Sequence, residues 1–382
     1  MRRDLHMHPE LSGHETSTTL WIEQHLRDLG LAPVRLAVGT GLVCDLPLGS
    51  PGPGSPVVAL RADIDALAMP DEKDVGYRSQ APGVAHACGH DVHTTAVLGA
   101  ARALHAVGRD AGVTGTVRLV FEPSEESVPG GAVDVLREGH LDGVGAIFGV
   151  HCDPRVDVGR VGTRVGPLSS AADMVEISVR GPGGHTARPD RTVDLAALLG
   201  RLLTGVQPAV DARTGSPGAL RVVFGAVHAG DAANVIPSSG VLRGTLRTPH
   251  PEVWRDTPAL LRAAVGELLD GSGAEWDIAH RRGVPPVVND PGMTAVLDAA
   301  VRDALGDDGL VGTDQSWGGD SFAWYLERVP GSYARLGVHD PESGKPRLDL
   351  HASTFDVDER AIRCGASVLA TAAVDALRAL SR

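Results

Sequence analysis

The sequence predicts an α/β fold: a layered domain with a central mixed sheet flanked by helices, plus an inserted small α+β domain. Three observations predict it. Apolar strand-like runs alternate with helical stretches from Val57 to Val150, the texture changes to period-two strands after Pro167, and Pro285-Pro286 precedes a return to helices. A chain of 382 residues also exceeds one ordinary core, which agrees with two domains. The expected division is 1–167 with 284–382 for the larger domain and 168–283 for the insertion.

Each element has a local reason. Leu20, Ile22, Leu26 and Leu29 fall at helical spacing, so a helix is expected from Thr16 to Leu29, stopped by Gly30. The Pro/Gly run from Pro47 to Pro56 reads as a loop. Val57 to Leu60, Thr116 to Phe121 and Ala146 to Val150 read as buried strands, with helices at Ala96 to Val107 and Ala132 to Glu138 between them. Beyond Pro167, Met174 to Val179, Leu220 to Val227 and Val241 to Leu246 alternate with period two, the pattern of a sheet with one open face. Val193 to Leu203 and Thr257 to Leu269 have helical spacing. Helices at Met293 to Leu305 and Asp358 to Leu380 resume the first domain.

Composition excludes several classes. The formal charge is -13 with no basic stripe, and Lys73 and Lys345 are the only lysines, so a nucleic-acid partner is not expected. No apolar run approaches the roughly 18 residues of a membrane span, and the first residues lack a signal-peptide apolar region, so a cytoplasmic protein without a membrane partner is expected. Cys44, Cys88, Cys152 and Cys364 are too scattered for a disulfide framework.

Four short stretches carry chemistry. In His86-Ala87-Cys88-Gly89-His90-Asp91-Val92-His93, a Gly-containing turn opening a helix lets a thiolate and an imidazole point at one place, a donor pair suited to zinc and its neighbours. Phe121-Glu122-Pro123-Ser124-Glu125-Glu126 follows a strand. Successive residues there face opposite sides, so one carboxylate can ligate an ion while its neighbour faces a substrate. His151 ends an apolar strand, where α/β sheets place ligands, and His351 precedes the last helix. Taken on the residues alone, a solvated acidic loop and structural histidines compete with the metal reading.

The order of these stretches resembles the M20 metallopeptidase family, in its amidohydrolase branch of hippurate hydrolases and auxin-conjugate hydrolases. Matching segments are Leu5 to Glu10, Arg61-Ala62-Asp63-Ile64-Asp65-Ala66-Leu67, His86 to His93, Glu122 to Glu126, Gly181 to Pro189, Asn234-Val235-Ile236-Pro237 and Asp349 to Asp356, across nearly the whole chain. The resemblance implies two divalent ions, zinc or manganese first, with cobalt or nickel also accepted, held by Cys88, His90, Glu126, His151 and His351. It implies Glu125 as general base on a metal-bound water, with ions roughly 3.5–4 Å apart polarising the amide carbonyl. Asp63 and Asp65 would be carboxylates orienting a ligand imidazole, against a reading as strand-end caps. His185 would stabilise the oxyanion, from the partner subunit of a homodimer formed through the inserted lid domain, and Asn234 would contact substrate. Arg243 or Arg247 would pair with a substrate carboxylate, against the ordinary solvated Arg of an alternating strand.

The implied activity is metal-dependent hydrolysis of the amide bond of small N-acyl or N-aroyl amino acids. A dipeptidase or a narrow deacetylase on the same scaffold is the alternative, and a non-catalytic ligand-binding descendant is disfavoured because every ligand and Glu125 are present. Relatives commonly read Gly-Glu-Asp-Phe where this chain has Gly319-Asp320-Ser321-Phe322, so specificity does not transfer directly. A loop from Leu336 to Leu350 is expected to shape the pocket. The chain opens almost at the Leu5 motif, which raises the expectation of an upstream start or a fraying first helix.

Overall fold

The computed structural model describes residues 1–108, 112–344 and 346–381. Lys345, inside the loop expected before His351, lies outside the described residues. By contacts the chain divides into one unit of 1–168, 288–314 and 321–382 and another of 169–287 and 315–320.

The first unit is built on an eight-stranded mixed sheet. Its order is Val34–Arg35, Leu42–Leu48, Gly115–Glu122, Val57–Asp63, Val144–Asp157, Gly331–His339, Val161–Thr163 and Leu310–Gly312. Val57–Asp63 lies parallel to both neighbours, Gly115–Glu122 and Val144–Asp157, and Gly331–His339 runs parallel to Val144–Asp157. Such parallel strands are buried on both faces and read as apolar runs. Helices His90–Val107, Pro291–Leu305 and Arg360–Leu380 supply apolar faces to the same core.

Two strands differ from expectation. Leu42–Leu48 pairs antiparallel with Gly115–Glu122 and takes in Pro47, the start of the expected loop. Gly331–His339 is buried along nearly its whole length, and the region from Leu336 read as a loop begins inside it. Its glycines are needed for close approach: a Cβ at Gly337 would stand 2.0 Å from the Asp157 carbonyl oxygen.

The opening residues form a helix, Arg2–Met7, pinned at both ends of its buried face. Arg2 Nε donates to Asp91 Oδ2 at 2.7 Å, and His6 Nδ1 lies 2.7 Å from the same oxygen. Among the described residues no helix is long and apolar enough to cross a membrane.

The second unit is a four-stranded antiparallel sheet, ordered Arg221–Ala229, Ser239–Thr248, Ala171–Arg180 and Glu275–Val284. Val175, Ile177, Val179, Leu242 and Leu246 face helices Leu195–Thr214 and Pro251–Leu269 and form its core. The opposite face is open, with Met174 and Val223 exposed, which is why these strands alternate in sequence.

Candidate metal centre

Several segments of the first unit meet at the carboxyl ends of its parallel strands. Val57–Asp63 runs on into Asp65, and Gly115–Glu122 turns through Pro123 and Ser124 into Glu125 and Glu126. Cys88 and His90 flank Gly89, whose φ is 88° and whose missing Cβ would lie 2.7 Å from Cys152 Sγ. Only glycine allows that turn, and it brings both side chains to one place. His151 is not at a strand end as its spacing suggests. The strand continues to Asp157 because Arg335, Leu336 and Gly337 go on pairing with His151, Cys152 and Asp153. On the other side pairing stops at Gly149, so His151 stands beside the gap.

The donors converge. Within 4.8 Å of one another lie atoms of Cys88, His90 and His151, of Cys88, Glu126 and His351, of His90, Glu125 and Glu126, and of Asp63, His90 and His93. Cys88 Sγ is 3.5 Å from His151 Nε2, and Glu126 Oε1 is 3.4 Å from His351 Nε2 and 3.8 Å from His90 Nε2. His351 adopts a left-handed φ of 62°, a strain that a functional position tolerates when its surroundings impose it.

These residues fit divalent ions. His90 Nδ1 donates to the Asp65 carbonyl at 2.9 Å and His151 Nδ1 to the Cys152 carbonyl at 2.8 Å, so each ring turns its Nε2 toward the cluster. His90 Nε2 and Glu126 Oε1 are buried and have no hydrogen-bond partner among the described residues, a costly arrangement unless a cation meets them. Burial, then the neighbouring His93 and Arg335, holds His151 well below the usual imidazole range, so it is neutral and able to ligate. Burial pushes the Cys88 thiol well up, and a thiolate there needs an adjacent positive charge.

A supporting layer sits behind them. Asp65 touches His90 through Oδ1 at 3.2 Å, and its Oδ2 accepts from Ser12 Oγ at 2.6 Å and from the Glu126 amide at 3.0 Å. Asp63 takes a different place from Asp65. It binds His93 Nδ1 at 2.6 Å, and His93 Nε2 accepts the Cys152 amide at 2.8 Å, so Asp63 orients a ring outside the expected ligand set while standing 3.7 Å from His90 Nε2. Glu15, fully buried, accepts the Ser124 amide at 2.7 Å and fixes that residue's left-handed turn. His86 is buried with both ring nitrogens unpartnered among the described residues, and burial lowers its pKa to about 3.

Sequence reasoning missed Ser12, Glu15 and the role of Arg61. The signal for Arg61 was present: an arginine inside the apolar run Val57 to Ile64 must find partners, and here they are Glu122 at 2.7 Å and Asp63 at 2.6 Å. In the second unit, His185 is exposed on a two-residue strand paired with Val235, next to Asn234. The Ala187 amide donates to His185 Nδ1 at 3.0 Å, which leaves Nε2 as the protonated, donating nitrogen. Arg243 Nε pairs with Glu176 at 2.6 Å on the exposed sheet surface, and Arg247 donates to the Trp317 carbonyl at 2.7 Å.

A mixed-sheet α/β unit carrying this clustered Cys/His/Glu donor set, with a small α+β unit inserted in its sequence, defines a protein of the metal-dependent hydrolase class. Residues 59–375 match the model of peptidase family M20/M25/M40, and the chain belongs to that family. It is 36% identical over 385 residues to an N-acetylcysteine deacetylase of Bacillus subtilis (strain 168), covering 100% of this chain and 97% of that protein. A Rhodococcus jostii (strain RHA1) protein named "Putative glutamate--cysteine ligase 2-3" is 46% identical over 368 residues, and this chain spans 45% of its length. A solved Bacillus subtilis dinuclear metal-binding peptidase from the M20 family superposes with a TM-score of 0.86 at 33% identity, covering 99% of this chain and 96% of that one.

Proposed function

We propose that this chain hydrolyses the amide bond of N-acyl and N-aroyl α-amino acids to a carboxylic acid and a free amino acid. The reading rests on one observation above the others, the convergence of Cys88, His90, Glu126, His151 and His351 with Glu125 beside them. Two divalent ions held by those five residues, zinc or manganese first, would polarise the carbonyl and acidify water. Glu125, not consumed as a ligand, takes the proton of the attacking water and delivers it to the leaving nitrogen as the C–N bond breaks. The names of the relatives put N-acetylcysteine first among substrates to test, and the peptidase name of the solved relative puts dipeptides second.

The test is amino-acid release from N-acetyl-L-cysteine, N-benzoylglycine, an indole-3-acetyl amino acid and a dipeptide, with metal added and with chelator. Metal-dependent release from the N-acyl compounds is expected. Release from the dipeptide alone would replace this reading with a dipeptidase, and no release from any by two-ion protein would remove the substrate class.

His185 is proposed as the oxyanion donor, contributed by a partner chain in a homodimer formed through the inserted sheet, with Asn234 as a substrate contact. The Nε2–H tautomer of His185 supports the donor role. The open face and the outer strands Arg221–Ala229 and Glu275–Val284 supply a surface for pairing. His185→Ala is expected to keep its metal and lose turnover. Mixed in equal amounts with Glu125→Gln under subunit exchange, it should regain about a quarter of wild-type activity, because half the chains pair unlike and each such dimer rebuilds one of two sites. No recovery after demonstrated exchange would place His185 in the site of its own chain or outside it.

A further inference from the structure

Glu125 is tied to the sheet through a residue distant in sequence. The Ser321 amide donates to Glu125 Oε1 at 3.1 Å. Ser321 is fully buried, and its hydroxyl donates to Glu122 Oε1 at 2.5 Å while accepting from Arg61 Nη2 at 3.0 Å. Arg61 and Glu122 are themselves paired, Nε to Oε2 at 2.7 Å, on adjacent parallel strands. Glu122 also accepts from the Ala132 amide at 2.8 Å and from the Tyr325 hydroxyl at 3.0 Å. Space around Ser321 is closed as well, since a Cβ at Gly130 would fall 2.4 Å from Ser321 Cβ.

A buried ion pair of this kind is stiff because each donor and acceptor must stay met. Ser321 is the piece that transmits that stiffness to a carboxylate needing a fixed direction. A hydroxyl suits the place: an aspartate at 321 would set a second carboxylate against Glu122. We propose that Ser321, clamped by Arg61 and Glu122, is a positioning residue that holds Glu125 Oε1 so that the carboxylate keeps its proton-accepting geometry. The proposal rests on Glu125 being the general base.

The experiment is a double-mutant cycle on metal-loaded full-length protein, using the best substrate of the panel. Ser321→Ala should lower kcat roughly 10- to 100-fold with KM within about 2-fold, because misplacement of a reacting group costs on this order. Metal content should stay at the wild-type value. In the Glu125→Gln background the same change should alter the residual rate by less than about 2-fold, since it acts only through Glu125. Tyr325→Phe, which removes one contact to Glu122 without touching Ser321, should leave kcat within about 3-fold. An equal loss from Ser321→Ala in both backgrounds, or an equal loss from Tyr325→Phe, overturns the proposal. If Ser321→Ala does not fold, Ser321→Cys replaces it, with a smaller loss of the same sign and the same non-additivity expected. Wild-type kcat in Glu125→Gln alone would remove the base assignment itself, a result separable from any behaviour of Ser321.

Discussion

Glu125→Gln is expected to lower kcat by roughly 10²- to 10⁴-fold, the range that a positioned general base contributes. The amide is isosteric with the carboxylate and can still accept from the Ser321 amide, but it cannot take a proton at neutral pH. Metal content and KM should stay near wild type, since Glu126 and not Glu125 is the expected ligand and only transition-state stabilisation is removed. Steady-state kinetics with metal analysis on the same preparation checks this. Retained turnover would remove Glu125 as the base, and loss of metal would make it a ligand.

Cys88→Ala should empty the centre more completely than loss of His351, which belongs to a single donor group. Cys88 is shared by two of the donor groups, one with His90 and His151 and one with Glu126 and His351. Removing it takes a soft anionic donor from both at once and leaves His90 Nε2 and Glu126 Oε1 buried with less to hold a cation between them. Metal content should fall from about two ions to one or fewer per chain, with turnover lost in step. His351→Ala, whose side chain is half exposed, should retain more metal than Cys88→Ala. The reverse order would contradict a shared position for Cys88.

Much of this architecture is legible because its signals are local. Met174 to Val179 alternate because one face of their sheet meets helices and the other meets solvent, and that alternation is written residue by residue. The motif from His86 to His93 is legible for a similar reason, since Gly89 and its flanking donors form one turn. Gly331–His339 is not legible. It is a central strand buried on both faces, yet its Gly, Ser and Arg residues imitate a loop, and only the approach of Asp157 explains Gly337.

The supporting layer is hidden by distance. Glu15 and Ser124 are 109 positions apart, and Ser321 and Glu125 are 196 apart, so nothing in either local stretch announces the contact. Asp63 and Asp65 look equivalent in sequence, two positions apart on one strand end. The fold gives them different rings, His93 for Asp63 and His90 for Asp65, because helix His90–Val107 presents those histidines nearly one turn apart.

The central claim is a two-ion centre made by Cys88, His90, Glu126, His151 and His351, and its most direct test is metal stoichiometry. Chelated protein is titrated with zinc or manganese while bound metal and amide hydrolysis are followed together. The account predicts about two ions per chain, with activity complete only near the second equivalent. Tight binding of no ion, or full activity in the chelated protein, would contradict it.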